Sequence, residues 1–244
     1  MKGKCYYCGK EIAKVSVIKH LKLCTKKEEY QEKVKSVGKK RSNLFVLQIS
    51  DKYNPKDYWI YVSVDENVTL KELDQFLRDI WVECCGHLSV FTIDGVDYDI
   101  DAKAANEFNF FFGKRSRGMN VKLKNVLREG LTFSYEYDFG DTTYITIKVL
   151  NKYEDYQHKD IEVMARNNPI EYECFECKNK AYYYCYDCNK FYCKKCIENH
   201  KSNCDDEMIY EIKEGENSPR SGMCGYVYDE SGEKEYLPDV IDLK

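Results

Sequence analysis

Between residues 43 and 170 the apolar positions follow two periods. Leu44, Val46 and Gln48 alternate with Phe45, Leu47 and Ile49, which predicts a strand covered on both faces. Asn54-Pro55 marks a turn, and Trp59–Val64 reads as the partner strand of a hairpin. Leu70, Leu73, Phe76, Leu77, Ile80 and Trp81 then recur at three- and four-residue intervals, the signature of a helix with one apolar face. Thr69 followed by Glu72 is a capping box at its start, and Gly86 is a stop signal. Leu88–Ile93 and Val96–Ile100 flank Asp94-Gly95, a type I′ hairpin signal. Val121–Leu127 suggests a short helix. Leu131–Phe139 and Thr142–Leu150 read as strands joined at Gly140-Asp141, with Phe133, Tyr135, Tyr137 and Phe139 on one face. The pattern predicts an α+β domain.

Composition narrows the classes. With 244 residues, 43% of them hydrophobic, the chain can build a core. No apolar run reaches the ~18–20 residues of a membrane span, and Met1–Cys8 has no apolar signal-peptide core. A cytoplasmic location is expected, where thiols stay reduced. The 13 cysteines are then read as metal ligands rather than disulfides. Charge is uneven: residues 1–41 hold 13 Lys and Arg against 4 Glu, on a chain of net charge −4. A basic head on an acidic body points to an acidic partner, nucleic acid first.

The densest chemistry lies between 171 and 204. Cys174, Cys177, Cys185, Cys188, Cys193, Cys196, His200 and Cys204 place eight soft or borderline ligands within 31 residues. Zinc takes four such ligands in a tetrahedron, so eight imply two ions. The spacing resembles cross-brace modules, B-box domains most closely, and its end is similar to a MYND finger. That resemblance implies one ion on Cys174, Cys177, Cys193 and Cys196 and the other on Cys185, Cys188, His200 and Cys204. A sequential pairing, first four and last four, stays open. Such modules usually bind proteins.

A second constellation, Cys5, Cys8, His20 and Cys24, resembles a C2HC finger of ββα type. Val15, Ile18 and Leu21 suit the inner face of a helix carrying His20 and Cys24. A unit this small needs zinc to fold. Lys10, Lys14, Lys19, Lys22, Lys26 and Lys27 offer phosphate contacts, although one finger spans only ~3 base pairs. Three zinc ions are therefore expected. Cys84, Cys85 and Cys224 are left over, and Cys84 and Cys85 are read as packing at a helix end.

Tyr135-Glu-Tyr-Asp-Phe-Gly-Asp141, the helix Leu70–Trp81, His87-Leu-Ser-Val-Phe91 and Asn217–Tyr226 resemble the plasmid open-reading-frame 3-like family, also labelled insertion-element passenger proteins. The resemblance spans about 43–170 and 205–228. It implies an α+β domain with a mostly antiparallel sheet, and its label hints at mobile DNA. The chain departs from the family at Ser89, where a second histidine is usual, and at Thr143 and Ile145, where members often hold Trp and His.

The resulting organisation is a C2HC finger (1–25), a basic helix and linker (26–42), the α+β domain (43–170), a two-zinc cross-brace (171–204) and a closing segment with an acidic tail (205–244). The expected function is non-catalytic recognition: nucleic acid through the head and protein through the cross-brace. A metal-dependent enzyme using His87, Asp138 and Asp141, with Glu136 nearby, is the rival. A pure protein-interaction adaptor is the third class. No phosphate-binding glycine loop, dinucleotide fingerprint or zincin motif occurs, so no small-molecule cofactor is expected. His158, in a polar loop, is read as solvated.

Overall fold

The computed structural model describes residues 2–109 and 115–238; the end of the acidic tail lies outside them. The chain opens with strands β1 (Lys2–Cys5) and β2 (Glu11–Ala13), followed by helices α1 (Val17–Lys22) and α2 (Thr25–Ser36). Then come β3 (Ser42–Asp51), β4 (Trp59–Asp65), α3 (Leu70–Leu77), β5 (Ser89–Ile93), β6 (Val96–Asp99) and α4 (Ala102–Asn109). After them follow β7 (Arg117–Gly118), β8 (Thr132–Tyr137), β9 (Thr143–Asp155) and β10 (Ile161–Asn167). The last elements are β11 (Tyr183–Cys185), β12 (Lys190–Tyr192), α5 (Lys194–His200), β13 (Ile209–Glu211) and α6 (Glu230–Lys234).

The fold is α+β. One ten-stranded sheet runs β2-β1-β10-β4-β3-β9-β8-β5-β6-β7, and a three-stranded sheet runs β12-β11-β13. Pairing in the large sheet is antiparallel except between β6 and the two-residue β7. The β3–β4 hairpin closes at Asp51, whose Oδ1 accepts the Tyr53 and Asn54 N–H groups. Asp94 and Gly95 sit at φ 49° and 78°, the left-handed pair that a type I′ turn needs between β5 and β6.

Both faces of the central strands are covered, by different means. Phe45, Leu47, Ile49, Ile60 and Val62 face α3 and share a core with Leu70, Leu73, Phe76, Leu77, Ile80 and Trp81. The capping box at Thr69 and Glu72 forms as expected. The α-helix gives way after Leu77 to a wider turn, Arg78–Val82, which still buries Ile80 and Trp81. Val46, Trp59, Tyr61 and Met164 point to the opposite face and pack with Cys5, Tyr7, Val17, Leu21, Tyr30 and Val34. The period-two alternation of β3 thus serves two cores.

The N-terminal unit is therefore built into the domain. β1 pairs with β10, matching Gly3 to Asn167 and Cys5 to Ala165. A Cβ on Gly3 would lie 2.1 Å from the Arg166 carbonyl oxygen and 2.5 Å from the Trp59 ring, so only glycine fits. α2 buries Tyr30 and Val34, and the Tyr30 hydroxyl donates to buried Glu162. Glu162 also accepts the His158 and Lys159 N–H groups, and His158 is half-buried rather than solvated.

Other differences are local. Val15 is 94% exposed, because the inner face of the N-terminal unit uses Val17 and Leu21. Phe139 is 53% exposed, since β8 ends at Tyr137 and Asp138 turns the chain at φ 63°. The segment 121–127 holds only a 3-10 turn, Leu123–Asn125. Among the described residues no helix is long and apolar enough to cross a membrane.

Candidate metal centres

The first Cys/His cluster rests on the β1–β2 hairpin. Its knuckle closes through Gly9 N–H donating to the Cys5 carbonyl, with Gly9 at φ 71°. α1 supplies His20, whose Nε2 lies 3.4 Å from the Cys8 sulfur. Cys24 is not on the same helix: α1 ends at Lys22, and Cys24 occupies the N-cap position of α2. Cys5, Cys8, His20 and Cys24 bring their ligand atoms within 4.8 Å of one another. Cys5 is fully buried, and that burial pushes its thiol up to about 12. A cation at this point offsets the desolvation that opposes the thiolate.

The C-terminal ligands sort into two interleaved sets, each within 4.8 Å: Cys174, Cys177, Cys193 and Cys196, then Cys185, Cys188, His200 and Cys204. The sequential pairing is not the one adopted. Sulfurs of Cys177 and Cys193 lie 3.6 Å apart, and those of Cys188 and Cys204 lie 3.2 Å apart. A zinc tetrahedron with sulfur at ~2.3 Å has edges of about 3.8 Å, so the separations suit a shared ion. Local structure presents the ligands. Cys174 opens a turn with Lys178 at φ 63°, Cys185 ends β11, Cys193 caps α5, and His200 ends α5 stacked on Tyr192. Burial opposes charge on the Cys174 thiol, but N–H donors of Cys177 and Cys193 outweigh it and hold the thiol down at about 6.

A fourth group gathers residues that the sequence left unassigned. Cys84, Cys85 and His87 follow the turn after α3, and Cys224 arrives from the closing segment; their ligand atoms also lie within 4.8 Å. The packing role expected for Cys84 and Cys85 does not hold for Cys85, which is exposed, as is Cys224. Cys84-Cys85-Gly-His87 was readable as a local ligand run, but its fourth member lies more than a hundred residues away.

The enzyme constellation converges only in part. His87 Nε2 is 3.3 Å from Asp138 Oδ2. Asp138 is buried and already engaged by Arg220 and by the Gly140 N–H. Asp141 is exposed, and its carbonyl accepts from Arg220. Glu136 is half-buried on β8.

A family model described as plasmid pRiA4b ORF-3-like protein matches residues 43–187. The chain belongs to that family. The match takes in α3, the β8–β9 hairpin and the first three cross-brace cysteines, Cys174, Cys177 and Cys185, but neither the N-terminal cluster nor the closing segment. No curated protein matches the chain. Among solved structures, a protein of unknown function from Methanosarcina mazei Go1 is similar at 18% identity and TM-score 0.42, over 51% of this chain and 68% of that one.

The family stretch holds a buried polar network that the apolar pattern concealed. Ser89, at the place of the usual second histidine, is fully buried and donates to Asp74 Oδ1 at 2.6 Å. Asp74 also takes the Tyr135 hydroxyl and pairs with Arg78 at 2.7 Å. Arg78 in turn reaches Glu83, just before the fourth group. The closing motif is equally embedded. Arg166 and Trp81 donate to the Asn217 carbonyl, and Ser218 donates to the Trp81 carbonyl.

The six lysines divide. Lys10, Lys19, Lys22 and Lys26 are exposed, with Lys26 paired to Glu29. Lys14 is half-buried and donates to the Pro55 carbonyl. Lys27 is half-buried, 3.8 Å from Asp155 and over the Tyr153 ring. Two of the six are thus committed to the domain itself.

Proposed function

We propose that the protein is a non-catalytic, zinc-dependent recognition protein. Zinc is held by the N-terminal cluster and by the two interleaved clusters of the cross-brace. The observation that carries this reading is the closure of the sets: each gathers four side-chain ligands around one point. A zinc ion so held has no open position for substrate or water, which is the mark of a structural rather than a catalytic site. Exposed Lys10, Lys19, Lys22 and Lys26 then offer the phosphate-binding surface, and exposed Phe175 on the cross-brace offers an apolar contact for a protein partner. The family's plasmid description accords with a role beside mobile DNA in the cytoplasm.

The test has two parts. Elemental analysis of the purified chain is expected to show one zinc fewer in Cys8→Ser and at least one fewer in Cys188→Ser. Duplex DNA binding is then measured across a salt series. Lys19→Ala with Lys22→Ala should shallow the log–log salt slope by about 2, since each phosphate contact contributes ~0.9. Affinity that ignores both salt and these lysines would overturn the nucleic-acid reading and favour a protein adaptor.

A further inference from the structure

We infer that Cys84, Cys85, His87 and Cys224 form a fourth metal site, for a thiophilic divalent ion of the zinc class, which fastens the closing segment to the family domain. The inference goes beyond the three-ion reading and stands apart from it. The geometry matches a tetrahedral ion. Sulfurs of Cys84 and Cys85 are 3.7 Å apart, and those of Cys85 and Cys224 are 3.8 Å apart. His87 Nε2 is 3.0 Å from the Cys85 sulfur and 3.2 Å from that of Cys224. These separations agree with the tetrahedral edge of about 3.8 Å for thiolates at ~2.3 Å and its shorter counterpart for nitrogen. They are far from the ~2.05 Å of a disulfide. The Cys188–His200 and Cys177–Cys193 pairs of the cross-brace have the same spread, at 3.5 and 3.6 Å.

The surroundings are prepared for the charge. Three thiolates and one dication leave a net −1. The Arg220 guanidinium, fully buried, lies 3.5 Å from the Cys84 sulfur and pairs with Asp138 beside His87. A buried cationic donor to a ligand sulfur is an outer contact of the kind that tunes metal ligands. The ligand loop is also held in place. The Cys84 and His87 N–H groups both donate to the Tyr137 hydroxyl, which donates to Glu83. On the other side, Gly222, Cys224 and Gly225 all take left-handed φ values, 78°, 46° and 68°, which turn the Cys224 sulfur back toward the loop.

An ion here joins positions 139 residues apart. Together with the Asn217–Arg220 contacts it pins the chain where it leaves the cross-brace, so that the module is tethered at both ends. None of its four ligands is buried, whereas each other set has a fully buried cysteine: Cys5, Cys174 or Cys185. The fourth ion is therefore the first to yield to a chelator.

The test is zinc content of the full chain by elemental analysis and native mass spectrometry, for wild type, Cys224→Ser and Cys85→Ser. Both substituted residues are exposed, so the core is left intact. The expected result is four ions falling to three in each variant. The ion lost from wild type first on mild chelation should be the one the variants lack. Limited proteolysis should then cut near 222–228 faster in Cys224→Ser and in mildly chelated wild type. Three ions in wild type, unchanged by either variant, would overturn the fourth site and leave the three-ion reading standing. Four ions unaffected by Cys224→Ser would also overturn it, by placing the extra ion elsewhere.

Discussion

The N-terminal unit and the cross-brace use the same ligands at similar spacing, yet they stand in opposite relations to the rest of the molecule. Cys5 and Cys24 lie in one apolar cluster with Val46, Trp59, Tyr61 and Met164 of the main sheet. Cys174, Cys185, Cys193 and Cys196 cluster with Tyr192 and Ile197 of their own module, with no main-sheet residue among them. The first would have two supports, metal coordination and a strand docked on β10. The second would have coordination and little else, since a three-stranded sheet of three-residue strands buries too little to fold unaided. Loss of a bound metal would therefore mean different things at the two ends of the chain.

Metal removal gives the largest expected effect. Structural zinc contributes ~10–16 kcal/mol in isolated finger peptides. Full chelation should abolish hydrogen-exchange protection across 181–200 while β1 amides paired to β10 keep much of theirs. Equal loss at both ends would break the contrast. Gly3→Val comes next: the side chain cannot fit against Arg166 and Trp59, and the cost should be ~1–3 kcal/mol, as for an overpacked core. Chemical denaturation measures it, and the cross-brace should keep its zinc.

Tyr30→Phe should cost about 1–3 kcal/mol, because it takes a donor from a buried carboxylate. Burial already holds Glu162 above its ordinary value of 4.5, with Tyr30 and the loop N–H groups opposing the rise. A carboxyl raised in the folded state stabilises fully below its unfolded value and loses that contribution as pH rises through the raised one. Removing Tyr30 raises it further, so the penalty should grow from mildly acidic to neutral pH. A penalty independent of pH would mean that the hydroxyl, not the charge, matters. Smallest of all is Lys26→Ala, which breaks an exposed pair with Glu29 and should change stability by less than about 0.5 kcal/mol. A larger loss would show that α2 depends on its surface charges rather than on Tyr30 and Val34.

Much of the fold was readable because its signals are local. The capping box at Thr69, the type I′ turn at Asp94-Gly95 and the buried alternation of Leu44–Ile49 each depend on residues within one turn or one strand. Asp74 and Ser89 were not readable as partners. Each is polar at a position the apolar pattern passes over, and their pairing needs α3 to lie against β5 and β8. Val15 misled for the opposite reason: it has the right period for an inner face, but the neighbouring sheet reaches the unit on the side of Val17 and Leu21.

By itself the sequence determined an α+β fold and two stretches of metal-ligand candidates, because each is written within a short stretch whose turns bring its members together. Only the tertiary structure decided that the cross-brace sets interleave, that the N-terminal hairpin extends the main sheet, and that Cys224 meets Cys84, Cys85 and His87. The reason is physical. A knuckle turn is set by a few backbone dihedrals, whereas contacts across 139 residues exist only after Trp81, Asn167 and Arg220 have buried the closing segment against the sheet.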